Sequence, residues 1–216
     1  MADKLRIALT KGRLEKDTVA LLEKCGYDCS QVHNKGRRLI LNILSGDSAS
    51  NIEVVLAKAA DVITYVENGV CDLGVVGKDT ITEMGGSFFE ILDLGFGKCR
   101  FAVAGKNGAD VFSGFRKKTI ATKYPNVTRR YFEGRAMDVD VIKIEGSVEL
   151  APLLSLSDAI VDIVETGSTL RENGLEVKEY IADISARMIC NTASMKLRQG
   201  EIETLASQLA VSSEEF

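Results

Sequence analysis

The stretch AIVDIVETGSTL, residues 159–170, decides how this chain is read. Its opening run is apolar and β-branched apart from one carboxylate, Asp162, as expected of a strand buried on both faces. Glu165 follows the run. Gly167 then sits among the hydroxyls of Thr166, Ser168 and Thr169, and TLRENG reads as a short helix. Free backbone N–H groups at a helix start favour an anion, and the hydroxyls add donors. A glycine lets the backbone approach a ligand closely. Carboxylates pointing at a phosphate would repel it. Asp162 and Glu165 suit instead a neighbouring ribose, whose vicinal hydroxyls donate to a carboxylate. The stretch therefore reads as a ribose 5-phosphate site. The same residues also fit a plain Ser/Thr helix cap with Asp162 at a solvated strand end. Against that, a carboxylate inside Ile-Val-Asp-Ile-Val needs a partner, because burying an unpaired charge is costly.

Outward from this stretch, short apolar strands alternate with helical segments. LRIALT (5–10) reads as a strand and LEKDTVALLEKCG (14–26) as a helix stopped by Gly26. RLILNIL and IEVVLA read as neighbouring strands around a hairpin-like turn, SGDSASN. ADVITYVENG is a short helix, DLGVVG a strand, and FEILDLG and CRFAVAG two strands with a short link. KTIATK, a helix over 125–135 and DVIKIE give a further β–α–β unit. GSVELAPLLS opens as a helix, VKEYIADISARMICN is a long β-rich stretch, and MKLRQGEIETLASQLA closes the chain as an amphipathic helix weakened by Gly200. Such alternation predicts an α/β fold with mostly parallel sheets. The β-rich segments near 89–105 and 175–191 interrupt it and suggest two lobes joined by two crossing strands. The boundaries expected are 1–92 plus 182–216 for lobe I, and 93–181 for lobe II, which carries the phosphate loop. Ligands are expected at the C-terminal ends of strands.

The chain has 216 residues, 45% hydrophobic, with a net charge of −4. That suits one large domain or two small ones, and an acidic balance argues against a nucleic-acid partner. Five scattered cysteines without CxxC and a single histidine, His33, argue against structural zinc and leave free thiols in a reducing cytoplasm as the expectation. A Ser/His/Asp hydrolase would have to use His33, in the polar VHNKGRR, and no GxSxG is present. MADKLRIALTKGR lacks an apolar core of signal-peptide length, and no run approaches the roughly 20 apolar residues of a membrane span. A cytoplasmic location and no membrane partner are expected.

Familiar nucleotide motifs match poorly. GVVGKDT (74–80) has the wrong glycine spacing for a Walker loop, and GFGKCR (95–100) has Arg100 where GxGxxG needs glycine. Gly95 and Gly97 read better as a hinge or bulge between strands. LTKGRL (9–14) is different: it places Lys11 and Arg13 around Gly12 at the end of the first strand, where two cations suit a polyphosphate or, more plainly, a solvated loop. Arg37, Arg38 and Lys58 are further cations, each by itself an ordinary surface charge.

IALTKGRL, YVENGVCDLGVVGKD, DLGFGKCR, ATKYPN, GSVELAP and DAIVDIVETGSTLRENGL occur in order along essentially the whole chain. Together they resemble the ATP phosphoribosyltransferase family in its short form. The resemblance implies a fold similar to type II periplasmic binding proteins. It implies transfer of the phosphoribosyl group of 5-phosphoribosyl-1-diphosphate (PRPP) to N1 of the adenine of ATP, opening histidine biosynthesis, with Mg²⁺ on the substrate phosphates and no metal held by the protein. Residue by residue, Glu165, Thr166, Gly167, Ser168 and Thr169 resemble the loop for the PRPP 5-phosphate, Asp162 the acid for the ribose hydroxyls, and Glu149 in GSVE a second substrate-contacting acid. Lys11, Gly12 and Arg13 match the cationic first turn, and Arg37 in GRRLIL resembles an arginine near ATP. Lys58 stands where the family commonly has arginine, and Ile63 where proline is common. Lys11 and Lys58 are thus the candidate catalytic cations for the departing diphosphate. The resemblance further implies a homodimer, or a hetero-oligomer with a regulatory subunit similar to histidyl-tRNA synthetase. The competing class is a non-catalytic two-lobed sensor of nucleotides or solutes.

Overall fold

The computed structural model describes residues 4–45 and 52–213; most of the expected SGDSASN turn lies outside them. In chain order the elements are β1 (Leu5–Thr10), α1 (Arg13–Lys24), β2 (Tyr27–Asp28), α2 (Ser30–His33), β3 (Ile40–Ser45), β4 (Ile52–Ala57), α3 (Ala59–Glu67), β5 (Leu73–Gly77), α4 (Lys78–Met84) and β6 (Phe89–Asp93). They continue as β7 (Cys99–Lys106), β8 (Lys118–Thr122), α5 (Pro125–Gly134), β9 (Val139–Lys143), α6 (Leu150–Leu153), β10 (Ala159–Val164), α7 (Ser168–Glu172) and β11 (Leu175–Ile184). The last are β12 (Ala186–Cys190), α8 (Thr192–Leu197) and α9 (Gln199–Ser213). The described chain divides into two compact units, residues up to Gly97 with those from Ser185 onward, and Lys98–Ile184.

The first unit is built on a seven-stranded sheet of order β2-β3-β4-β1-β5-β12-β6. The central strand β1 is covered on both faces. Leu5, Ile7 and Leu9 join one core with Leu21 and Leu22 of α1 and Ile202, Leu205 and Leu209 of α9. Ala8, between them, faces a second core with Val62, Ile63 and Val66 of α3. That is the two-residue period of a strand written in burial. Asp72 ties the C-terminal segment to this sheet. Its carboxylate accepts from the Arg6 amide at 2.8 Å, the Ser194 hydroxyl at 2.7 Å and the Arg198 guanidinium at 3.2 Å.

The second unit carries a five-stranded sheet of order β11-β7-β10-β8-β9. On one face the small Ala102, Ala104 and Ala121 leave room for Val148, Ala151 and Leu170 from the connections around β10. On the other, Val103, Ile120 and Val161 pack on Phe132 of α5.

Three expectations change. The sheets are mixed: parallel pairing is confined to β4-β1-β5 and to β10-β8-β9. β3, β12, β6, β7 and β11 all enter antiparallel, a direction that hydrophobic periodicity does not encode. The closing helix is two helices, broken at Arg198, whose backbone leaves the helical region at φ −129 while its side chain turns to Asp72 and Glu201. The long β-rich stretch likewise splits at Ser185 into β11 of one unit and β12 of the other. β2, α2 and α4 carry too few residues for a periodic signal. Gly95 and Gly97, both at positive φ, lie in the turn between β6 and β7.

Candidate active site

The sequence-derived candidates fall into two sets, one in each unit. In the second unit, β8, β9 and β10 run parallel, so the turns that follow them leave the same edge of the sheet. β10 is buried through Val161; Asp162 is half-buried, Ile163 exposed and Val164 buried again. Asp162 is thus the point where the strand leaves the core. Its carboxylate accepts the Ile163 N–H at 2.8 Å, so its strand-end position is not that of an unsatisfied buried charge.

The loop beyond is fixed by its own hydroxyls. Gly167 takes a left-handed conformation, φ 71 and ψ 10, which costs any residue with a Cβ. The Thr166 and Ser168 hydroxyls lie 3.0 Å apart. Leu170 anchors α7 in the same hydrophobic cluster as Val164 and Val148, so the Glu149 turn and the glycine loop are moored to one core. Glu149 is half-buried and is the residue before α6. Glu165, Thr166, Ser168 and Thr169 are exposed.

Two cations at this edge carry no motif of their own. Arg171 donates to the Thr166 carbonyl at 3.0 Å, and its Nη1 would lie 3.2 Å from a Cβ placed on Gly167. Its guanidinium therefore braces the loop. Lys123 is exposed one residue past β8. Val161 is the register partner of Thr122, so Lys123 leaves β8 at the level where β10 reaches Asp162. The Ile144 amide bonds the Thr122 carbonyl at 2.9 Å, which brings the end of β9 alongside. There Glu145 is held below the usual carboxylate range by the Lys143 ammonium first and, more weakly, by Lys123. The turn is rigid: the buried Thr122 hydroxyl donates to the Val161 carbonyl at 2.7 Å and accepts the Tyr124 N–H at 2.8 Å.

In the first unit the corresponding edge is formed by β1, β4 and β5. Thr10 is the register partner of Ala57, and the Lys11 amide donates to the Ala57 carbonyl at 2.9 Å. Lys11 and Lys58 therefore emerge next to each other. Gly12, at φ 103 and ψ −130, makes the reversal into α1, which opens on Arg13. Lys58 is the residue before α3, exposed, and its carbonyl accepts the Val62 amide at 3.0 Å. β3 is antiparallel to β4, so its start lies at the same edge. There the Arg38 amide donates to the Lys35 carbonyl at 3.0 Å, closing a turn that exposes Arg37. Lys78, in GVVGKDT, gives its ammonium to Glu90. Among the described residues no cluster of three or more His, Cys, Asp or Glu side chains could hold a metal.

Comparison with known proteins gives this geometry a context. The HisG family model, ATP phosphoribosyltransferase, matches residues 58–211. An ATP phosphoribosyltransferase of Clostridium kluyveri is 58% identical over 208 residues, 96% of this chain and 93% of that protein. One of Clostridium acetobutylicum is 56% identical over 205 residues, 95% and 94% of the two chains. Among solved structures, the ATP phosphoribosyl transferase (HisG:HisZ) complex from Thermotoga maritima aligns with a TM-score of 0.81 and 33% identity, over 98% of this chain and 100% of that one. The periplasmic aliphatic sulphonate binding protein SsuA of Escherichia coli aligns with a TM-score of 0.60 over 99% of this chain and 73% of its own. At 11% identity this is a likeness of fold, that of the periplasmic binding proteins. By family match, identity and coverage, this chain belongs to the ATP phosphoribosyltransferase family.

Proposed function

We propose that the chain transfers the 5-phosphoribosyl group of PRPP to N1 of the adenine of ATP, releasing diphosphate, as the first step of histidine biosynthesis. The observation that carries this reading is the edge of the second unit, where Asp162 precedes a left-handed Gly167 among three hydroxyls. A carboxylate followed by a hydroxyl-rich loop is the donor and acceptor order of a ribose 5-phosphate. Asp162 and Glu165 take the ribose hydroxyls, and within the Glu165–Thr169 loop the residues Thr166, Gly167, Ser168 and Thr169 take the 5-phosphate, with Arg171 as the brace. Glu149 is a second contact to PRPP. Lys11, Gly12, Arg13 and Arg37 bind ATP.

The chemistry asks little of a base. Adenine N1 is neutral and nucleophilic near pH 7, and the barrier lies in breaking the bond to diphosphate. Cations fixed before the reaction act where negative charge grows, which is usually the largest catalytic term. Lys11 and Lys58 are assigned that role. Holding both substrates adds proximity. Mg²⁺ fits as a companion of the substrate phosphates, since such ions commonly bind through phosphates and few carboxylates, and it supplies charge neutralisation of the leaving diphosphate when bound.

No helix among the described residues is long and apolar enough to cross a membrane, in keeping with work in the cytoplasm. The Thermotoga maritima relative was solved as a HisG:HisZ complex. That supports assembly of this chain with a second, regulatory subunit, for which one similar to histidyl-tRNA synthetase is proposed; a homodimer is the alternative assembly. The test is diphosphate release with ATP and PRPP together, against either alone. Release only with both is expected. Binding of both without release would make the chain a sensor and overturn the reading.

A further inference from the structure

We infer that Glu15 is a positioning residue for the ATP side of this reaction, acting through Lys35; the inference rests on the function proposed above. Glu15 is 5% exposed, and no other acidic or basic side chain among the described residues is buried. It lies in the first turn of α1, directly beyond the Lys11–Gly12–Arg13 reversal. One carboxylate oxygen binds the Lys35 ammonium. The other reaches back to the Gly12 amide at a long 3.5 Å.

A buried carboxylate is tolerated only with its charge compensated. A negative charge in a first helical turn does favour the helix dipole, but an exposed acid also does so without the cost of burial. What burial adds here is a fixed attachment to a segment 20 residues away along the chain. That segment is the turn carrying Arg37. Lys35 opens it, and the Lys35 carbonyl accepts both the Arg38 amide at 3.0 Å and the Arg38 Nε at 3.3 Å. Arg38 Nη2 also donates to the Asn34 carbonyl at 2.9 Å. Gly36, at φ 55, makes the bend. The Glu15–Lys35 pair thus ties the turn that holds Lys11, Gly12 and Arg13 to the turn that presents Arg37. An acid set among four cations at a polyanion site would weaken binding if it faced the ligand. Turned inward onto Lys35, it instead fixes the spacing of the cations that remain outward. A turn whose backbone is fixed beforehand loses less freedom on engaging phosphate than a mobile one.

The experiment compares the parent protein with Glu15→Gln, Lys35→Ala, Lys35→Arg and the Glu15→Gln/Lys35→Ala double variant. Each is read by titration calorimetry with Mg-ATP, by steady-state kinetics in each substrate and by thermal melting. The expected result is a roughly tenfold rise in the Kd and KM for ATP in Glu15→Gln and Lys35→Ala, larger than any fall in kcat, with the KM for PRPP within about twofold of the parent. Lys35→Arg, which keeps the ion pair, should retain ATP affinity, and the double variant should be no worse than Lys35→Ala, since the two residues act as one unit. Unchanged ATP affinity in a folded Lys35→Ala variant would overturn the inference, as would equal losses for ATP and PRPP. Absence of diphosphate release by the parent protein would instead count against the proposed reaction, so the two failures are separable.

Discussion

Lys11 and Lys58 leave the first sheet side by side, because the Lys11 amide is bonded at 2.9 Å to the carbonyl of Ala57, the residue before Lys58. Parallel pairing of β1 with β4 makes neighbours of two cations far apart in sequence. If Lys58 neutralises departing diphosphate, it acts mainly in the transition state. Lys58→Ala should then lower the chemical rate by about 10- to 100-fold, as for loss of one charged contact worth about 1.5–3 kcal/mol. Lys58→Arg, which restores the forked cation common in the family, should retain activity or raise it. Single-turnover rates are the measurement, because product release can mask chemistry in steady state. Equal single-turnover rates in all three proteins would remove Lys58 from the reaction.

Asp162 marks the exit of β10 from the core, and its assigned role is to accept the ribose hydroxyls. Asp162→Asn keeps the size of the side chain and can keep the bond to the Ile163 amide, made at 2.8 Å in the parent. It loses the charge. The expected outcome is a fall of about 10- to 100-fold in kcat/KM for PRPP, from about 1.5–3 kcal/mol per hydrogen bond to a charged acceptor, with a melting temperature close to the parent's. PRPP kinetics and melting curves recorded on the same preparations check it. Near-normal PRPP kinetics would exclude Asp162 from the site.

What could be read from the sequence, and what could not, follows from the range of the interactions. AIVDIVETGSTL announces a strand, a glycine turn and a helix because all of its signals are local, and the structure forms β10, the left-handed Gly167 and α7 there. Lys123 carries no such signal. It comes to the level of Asp162 only through the pairing of β8 with β10. Arg171 is a different case: its contact with the Gly167 turn is local, one helical turn away, but no motif marks that arginine as a brace. Glu15 and Lys35 read as two unrelated charges. Strand direction is hidden for the same reason: an alternating or apolar run is identical read forwards or backwards, so the antiparallel entry of β12 beside β5 had no local mark.

Asp72 offers a test of how the C-terminal helices are fastened. Its carboxylate holds Arg198 in an ion pair whose side chains are about one-sixth exposed, 17% for Arg198 and 16% for Asp72. It also accepts from Ser194 and from the Arg6 backbone. Asp72→Ala removes three contacts at once and leaves a largely buried guanidinium that still has Glu201 and the Lys4 carbonyl. A loss of about 2–4 kcal/mol is expected, below the sum of separate charged bonds because water reaches part of the site. Urea unfolding measures it. A midpoint unchanged from the parent would show that Asp72 does not fasten the helices.

The buried thiols give the protein an alkaline limit. Burial, the dominant cause, pushes Cys29 up to about 12 and Cys71 and Cys190 up to about 11, from an ordinary value of 9.0. All three side chains are at most 1% exposed. Below pH 9 the thiols are protonated in the folded and unfolded chains alike, and the shifts have no effect on stability. Above pH 9 the unfolded chain releases these protons while the folded chain keeps them, so stability falls as pH rises through the window from 9 to about 11 or 12. Each thiol can contribute up to about 1.4 kcal/mol per pH unit inside that window. Urea unfolding at a series of pH values from 8 to about 10.5 should show the decline. Other groups contribute to the pH dependence as well, so the slope must be assigned by substitution. Cys29→Ala removes the most shifted thiol, and its stability should fall less steeply with pH than the parent's, even though its stability at pH 8 is lower for lost packing. Parallel slopes in the two proteins would show that Cys29 ionises as easily folded as unfolded. Maleimide labelling at pH 8 gives an independent reading: the half-exposed Cys25 and Cys99 should react first, and early modification of Cys29 would contradict its burial.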